Sequence, residues 1–293
     1  MLRSSFVATT LICAAMTQAS SYESELNYSY TKLSRDGWNI HTYNLEAQKY
    51  AQPIDTSASP YGLAAYLQRE NSFHIGLERE REESIDYLDS SINTLFAGAS
   101  HTLANKQVII AGEVGRGAGE AEEDDISIDT RRTYVQIQAG AYPIEQLLVW
   151  AEYQNALEKE EVEIDNRHSD DEYEREQSAS LNIRYTQSLD NGMYVDAMAS
   201  RERNVYSPSG FSASLVYINT FNAELYLNQT TSVGLGYMKG SFDDVSALIY
   251  QAEHFVTPRL GLSASYTDLS YDDVEPGDDK TGNIWSFAAS YRF

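Results

Sequence analysis

The feature that most limits what this chain can fold into is the pattern of its last ten residues. Trp285, Phe287, Ala289, Tyr291 and Phe293 alternate with Ile284, Ser286, Ala288, Ser290 and Arg292. Successive side chains of a β-strand point to opposite faces, so this strand has one aromatic face and one face of mostly small or polar groups. The pattern recurs upstream. Leu260, Leu262, Ala264 and Tyr266 oppose Gly261, Ser263, Ser265 and Thr267. Val233, Leu235 and Tyr237 oppose Ser232, Gly234 and Gly236. Leu181, Ile183 and Tyr185 oppose Ser180, Asn182 and Arg184, and Val135, Ile137 and Ala139 oppose Tyr134, Gln136 and Gln138. Period two over about ten residues is a strand signal, not a helical one.

The connections between these segments take turns in length. Short ones include Leu103–Lys106, Leu189–Gly192, Asn228–Thr231 and Thr257–Arg259, while Gly115–Asp129, Glu158–Glu176 and Asp272–Gly282 are long and acidic. Tight turns on one side and long loops on the other are expected of a transmembrane β-barrel. Strands are predicted at 22–33, 38–51, 71–83, 90–103, 106–115, 131–142, 147–158, 176–188, 193–203, 211–227, 231–240, 246–257, 260–271 and 283–293. That is an all-β, antiparallel up-and-down transmembrane barrel of about fourteen strands, with twelve or sixteen as alternatives. The Glu-rich ends of 71–83 and 147–158 also suit helix, and 211–227 is long enough to hold a further hairpin. An even count puts both termini and the short turns on the periplasmic side. One connection there, Gln52 to Glu70, is long; it is predicted to form a short helix or to fold against the barrel mouth. Gly115, Gly117 and Gly119 are expected to serve a strand-to-loop exit.

Composition narrows the setting. Arg3, the apolar run Phe6–Met16 and Thr17-Gln18-Ala19 have the layout of a secretory signal peptide, giving a leader over 1–19 and one barrel over 20–293. A cytosolic N-terminal helix is the alternative for that run. Cys13 is the only cysteine, so the mature chain has no disulfide, thiol nucleophile or cysteine-ligated metal. A net charge of −23 argues against nucleic acid as a partner. The mean hydropathy of −0.45 looks soluble, yet a polar lumen and polar loops hide a barrel in any average. His41, His74, His101, His168 and His254 have no metal-ligand spacing, and phosphate-binding loops and a Gly-x-Ser-x-Gly elbow are absent. No cofactor or metal is expected, and no enzyme, although His74 and His101 are candidates for a catalytic rim.

The run Lys49-Tyr50-Ala51-Gln52-Pro53-Ile54-Asp55-Thr56, followed by Ser59-Pro60-Tyr61-Gly62-Leu63-Ala64-Ala65-Tyr66-Leu67-Gln68-Arg69, resembles the putative general porin family of marine gammaproteobacteria. Leu63 stands where that family carries an acidic residue, and Tyr66 replaces Phe. The resemblance implies an outer-membrane location and passive diffusion of small hydrophilic solutes through a water-filled barrel. Trp285, Phe287, Tyr291 and Phe293 look like the terminal signal read by the barrel-assembly machinery.

Fourteen strands about 4.8 Å apart, tilted by about 40°, give a backbone radius of about 14 Å, enough for a wet lumen. By alternation the inward candidates are Glu46, Gln136, Glu152, Asn182, Arg184, Asp196, Glu224, Gln251, Glu253 and Arg292. Acids exceed bases among them, so mild cation selectivity is expected, strengthening as salt falls. The bland reading is that these groups bond to one another and stiffen the wall. The acidic loops lack calcium-loop spacing and read first as solvated surface. Expected partners are outer-membrane lipid and lipopolysaccharide, with monomer and homo-oligomer both open. The competing function is a non-conducting barrel whose loops serve adhesion, protection or phage attachment; a soluble all-β binding protein is the last alternative.

Overall fold

A computed structural model describes residues 21–35, 38–84, 89–103, 105–123, 126–164, 167–168, 172–207, 214–241, 245–271 and 280–293. The strands are β1 (Ser21–Arg35), β2 (Trp38–Asp55), β3 (Ser72–Ser84), β4 (Ser90–Leu103) and β5 (Val108–Glu123). Next come β6 (Ile126–Ile144), β7 (Leu147–Ile164), β8 (Arg167–His168), β9 (Glu172–Ser188) and β10 (Tyr194–Ser207). The last are β11 (Ser214–Tyr226), β12 (Thr231–Gly240), β13 (Ser246–Thr257), β14 (Leu260–Tyr271) and β15 (Lys280–Arg292). Each wall strand pairs antiparallel with its neighbours in sequence, and β1 pairs with β15 from Glu25↔Arg292 to Arg35↔Gly282. The sheet is therefore a closed barrel of fourteen strands, with the two-residue β8 added to the end of β7. At the seam, the Phe293 carbonyl accepts from the amides of Glu23 (3.1 Å) and Ser24 (3.0 Å), and the Phe293 amide donates to the Ser24 carbonyl (2.9 Å). Closure leaves no open edge of unpaired backbone, which a lipid-embedded sheet requires.

Both segments that also suited helix, in β3 and β7, are strands. The described part of 211–227 is one strand without a hairpin. The expected leader, 1–19, and the 272–279 portion of the last acidic connection lie outside the described residues.

Two of the three acidic connections are corrected. Gly115–Asp129 and Glu158–Glu176 are mostly ladder: β5 runs to Glu123 and β6 starts at Ile126, while β7 runs to Ile164 and β9 starts at Glu172. β6 has 19 residues; at about 3.4 Å each and about 40° of tilt, that is roughly 50 Å of height, about twice the apolar band of such barrels. The wall here continues past the membrane as a projecting sheet. Charged residues dominate this part of the sheet, so the long apolar stripe of the belt stops while the backbone pairing persists.

The outward face is apolar and exposed: Leu77 57%, Ile137 56%, Leu235 62% and Phe287 48%. An apolar surface of that extent is not left in water; it is the lipid-facing belt of a transmembrane barrel. Buried apolar side chains instead form two small clusters. Tyr22, Tyr50, Ile54 and Ala64 pack at the end that holds both termini. Ala247 and Leu269 pack with Leu33, Met238 and Ile284 toward the other, far end.

Candidate functional site

The barrel interior is the concavity in which chemistry can be gathered, and the β2–β3 connection organises its terminal end. After Asp55 the chain forms a 3-10 turn (Tyr61–Leu63) and a short helix, α1 (Ala64–Gln68), ending at Arg69 with φ 55°. Of the two forms expected for Gln52–Glu70, both occur together: a helix, and one folded into the mouth. Pro60 sets φ −55° at the entry, as its ring requires. Pro60, Leu63 and Ala64 are fully buried, with Ile54 beneath them. Leu63, where the resembled family is acidic, sits in an apolar place that would penalise a carboxylate.

This segment reaches wall elements around the opening. The Tyr61 carbonyl accepts from Arg292 Nη1 at 2.9 Å, and the Tyr61 ring meets Phe255 edge-on at 5.5 Å. The Tyr61 amide donates to the Gln229 carbonyl (2.9 Å), and Tyr194 Oη donates to the Ala58 carbonyl (3.2 Å). The Arg184 guanidinium lies 3.8 Å above the Tyr66 ring, and that of Arg69 lies 3.6 Å above the Tyr142 ring. Arg69 also donates to the Lys106 and Glu145 carbonyls in two other turns. At the segment's root the Ser57 amide donates to Asp55 Oδ1 at 2.8 Å; this bond to the charged form holds the Asp55 carboxyl below its ordinary range. Burial pushes the Tyr66 hydroxyl up, with Arg184 beside it pulling the other way. The connection is thus a strap across the terminal-end mouth.

Beneath the strap the wall presents paired ions. Arg292 is 4% exposed and donates to Glu25 Oε2 at 3.1 Å, between the rings of Tyr22 (4.6 Å) and Phe255 (4.5 Å). A buried guanidinium is tolerated only with such a counter-charge and filled donors. Arg184 pairs with Asp196 at 2.8 Å, and Asp196 also accepts from the Thr186 hydroxyl. Glu224 accepts from Ser232 and from Tyr226 Oη (3.0 Å). Gly62 passes close to the wall, where a Cβ would lie 2.1 Å from a Glu253 carboxylate oxygen. On one side of Gly62 is a cavity of about 300 Å³ bounded by Glu224, Tyr226, Glu253, Ser263 and Ser286. A second, of about 610 Å³, lies among Ser59, Pro60, Tyr194 and Gln229.

The ten inward candidates all fall on the face opposite the exposed apolar stripe of their strands. Arg184, Asp196, Glu224, Glu253 and Arg292 gather around the strap. Gln251 lines the cavity beside Gly62 with Glu224 and Glu253; Glu46, Gln136 and Glu152 stand apart on the wall, and Asn182 is buried with Nδ2 on Ser180 Oγ at 2.7 Å. A further group escaped the sequence reading. Glu113 accepts from Tyr134 Oη at 2.6 Å and meets His74 Nε2 at 2.6 Å, and Arg132 joins Glu158 (2.6 Å) and Glu80 (3.8 Å). His74 and Arg132 bridge strands that are not neighbours, which only the concave side of a closed sheet allows. Two glycines make room: a Cβ on Gly98 would lie 2.5 Å from the His74 ring, and one on Gly115 2.1 Å from the Tyr134 ring. Gly115, Gly117 and Gly119 are therefore inward wall positions, not a loop exit.

His74 faces inward while His101 is exposed on the outer face, so they do not meet at one rim. Among the described residues, no three His, Cys, Asp or Glu side chains are arranged to hold a metal. Trp285, Phe287 and Phe293 project outward, the first two with stacked rings 6.3 Å apart; Tyr291 lies 6.0 Å from Phe293.

No family model and no curated protein matches this chain. Solved structures do. Omp33, an outer-membrane protein of Acinetobacter baumannii, aligns with TM-score 0.58 at 14% identity, covering 94% of this chain and all of Omp33. The monoaromatic hydrocarbon channel CymD aligns with TM-score 0.59 at 6% identity over 95% of this chain and 90% of its own. A FadL homologue of Pseudomonas aeruginosa aligns with TM-score 0.54 at 10% identity over 96% and 94%. At these identities the likeness is one of architecture, and it agrees with the ladder and belt described above: the chain has the fold of the outer-membrane β-barrels.

Proposed function

We propose that the protein is an outer-membrane channel for small hydrophilic solutes that prefers cations, with its restriction at the strap. One observation carries this reading: the inward face of the wall is acidic, and its arginines are already neutralised. Arg132, Arg184 and Arg292 each form an ion pair. Glu46, Glu78, Glu152 and Glu202 share that face. Carboxylates around a low-dielectric pore raise the local concentration of cations and repel anions. The resemblance to general porins rests on residues 49–69 and points the same way. CymD is described as a hydrocarbon channel; the carboxylates of Glu46, Glu152, Glu224 and Glu253 on the inward face favour the hydrophilic reading.

The test is reconstitution of the purified chain into planar bilayers under a potassium chloride gradient. Stepwise conductance with a reversal potential of cation-selective sign is expected, growing as ionic strength is lowered. Absence of steps would support the non-conducting barrel with surface-active projections. Steps with anion preference would refute the assignment of the lining. Uptake of toluene without ion conductance would favour the hydrocarbon reading.

A further inference from the structure

The outer face also changes character along each strand, and the change has a sign. Moving toward the far end, the first polar outward residue above the apolar belt is Lys32 after Tyr30, Arg79 after Leu77 and Arg116 after Val114. It is Arg201 after Ala199 and Lys239 after Tyr237. On most other strands this step holds an amide or hydroxyl; the one acid among the described residues there is Asp268, after Tyr266. Chance would give the reverse, because the chain has 44 acidic residues against 21 Lys and Arg. The five cations sit on β1, β3, β5, β10 and β12, so they are spread around the barrel rather than gathered in one patch. Among the described residues the terminal end has no such ring: Leu103, Leu227, Val256 and Phe293 are exposed there, and Lys49 is paired with Glu23 at 2.6 Å. Farther out past the ring the outward positions hold both signs: Glu83 pairs with Arg81 at 3.2 Å, Glu161 pairs with Lys159 at 2.6 Å, and Glu120 is exposed.

We infer that this ring docks the barrel onto phosphate-bearing, net-anionic lipid head groups in the leaflet at the far end. Guanidinium and ammonium groups at the edge of an apolar belt meet the lipid at head-group depth, where they attract anionic surface charge and donate to phosphate oxygens. Attraction at the edge of the belt fixes the height at which the barrel rides in that leaflet. Zwitterionic lipid lacks the net charge that the ring recognises.

The full chain, refolded into phosphatidylcholine vesicles, tests this by its thermal unfolding midpoint with added lipid A or with dephosphorylated lipid A. Lipid A is expected to raise the midpoint, the dephosphorylated form is not, and high salt should shrink the difference. Replacing Lys32, Arg79, Arg116, Arg201 and Lys239 together by Gln should remove most of the rise, whereas Arg79→Lys, Arg116→Lys and Arg201→Lys together should keep it. Should the five-site variant not fold, single Arg→Gln variants should each lose part of the rise and Asp268→Asn should enlarge it. Equal responses to the two lipids, or a full rise in the Gln variants, would overturn the inference.

Discussion

The two faces of one wall differ more than any two strands do. Along β3, Phe73, Ile75 and Leu77 point out and are exposed, while His74, Glu78 and Glu80 point in. Along β12, Val233, Leu235 and Tyr237 point out, while Ser232, Gly234 and Gly236 point in. The backbone ladder is the same on both sides. What differs is the solvent that each face meets: hydrocarbon admits no charge, and an aqueous interior admits many. The sorting extends to the sign of charge. Carboxylates are concentrated inside, whereas lysine and arginine mark the upper edge of the outer belt. Where an arginine does face in, as at 184 and 292, a carboxylate holds it and the strap rests on it.

The contrast can be attacked at its most tightly packed point first. Arg292→Met removes one partner of a buried ion pair and the donor to the Tyr61 carbonyl. It should destabilise the folded barrel by about 3–5 kcal/mol in urea titrations in lipid, with partial recovery when Glu25→Gln is added. A loss near zero would mean that strap and wall are not coupled through this residue. Next, Leu235→Arg, on the lipid face, should cost about 2–4 kcal/mol in the same assay. The inward Gln251→Arg, on the adjoining strand, should fold almost normally and shift the reversal potential toward anions instead. Equal costs at the two sites would contradict the assignment of faces. Smaller still, Glu46→Gln with Glu152→Gln should reduce cation preference in bilayers without moving the unfolding midpoint. The least effect belongs to Lys49→Ala. Its pairing with Glu23 at 2.6 Å is more than half exposed on both sides, so about 0–1 kcal/mol is expected.

Period-two alternation was legible wherever the wall divides lipid from water. It located β12, β13 and β14 with the boundaries found, and it placed Glu46, Gln136 and Glu253 on the inward face. It failed beyond the belt. The projecting parts of β5, β6, β7 and β9 therefore read as loops, because runs as rich in carboxylates as Glu158–Glu163 carry no apolar stripe as long as that of the belt. It was silent, too, about the group at Glu113: His74, Tyr134 and the two glycines beside them lie on different strands, and each looks ordinary in its own stretch of chain.

The strand pattern of the belt and the face each side chain takes there were legible in the sequence, since a local repeat of two residues meets two solvents; the extent of β5, β6, β7 and β9, and the choice of fourteen strands over twelve or sixteen, were not. The tertiary structure decided what the strap does and which charges pair. Tyr61 meets Arg292 across 231 positions, and Glu25 meets the same arginine across 267. Contacts of that span exist only once the sheet has closed and brought its first and last strands together. No local pattern encodes them, because the chain between carries the circumference of the barrel.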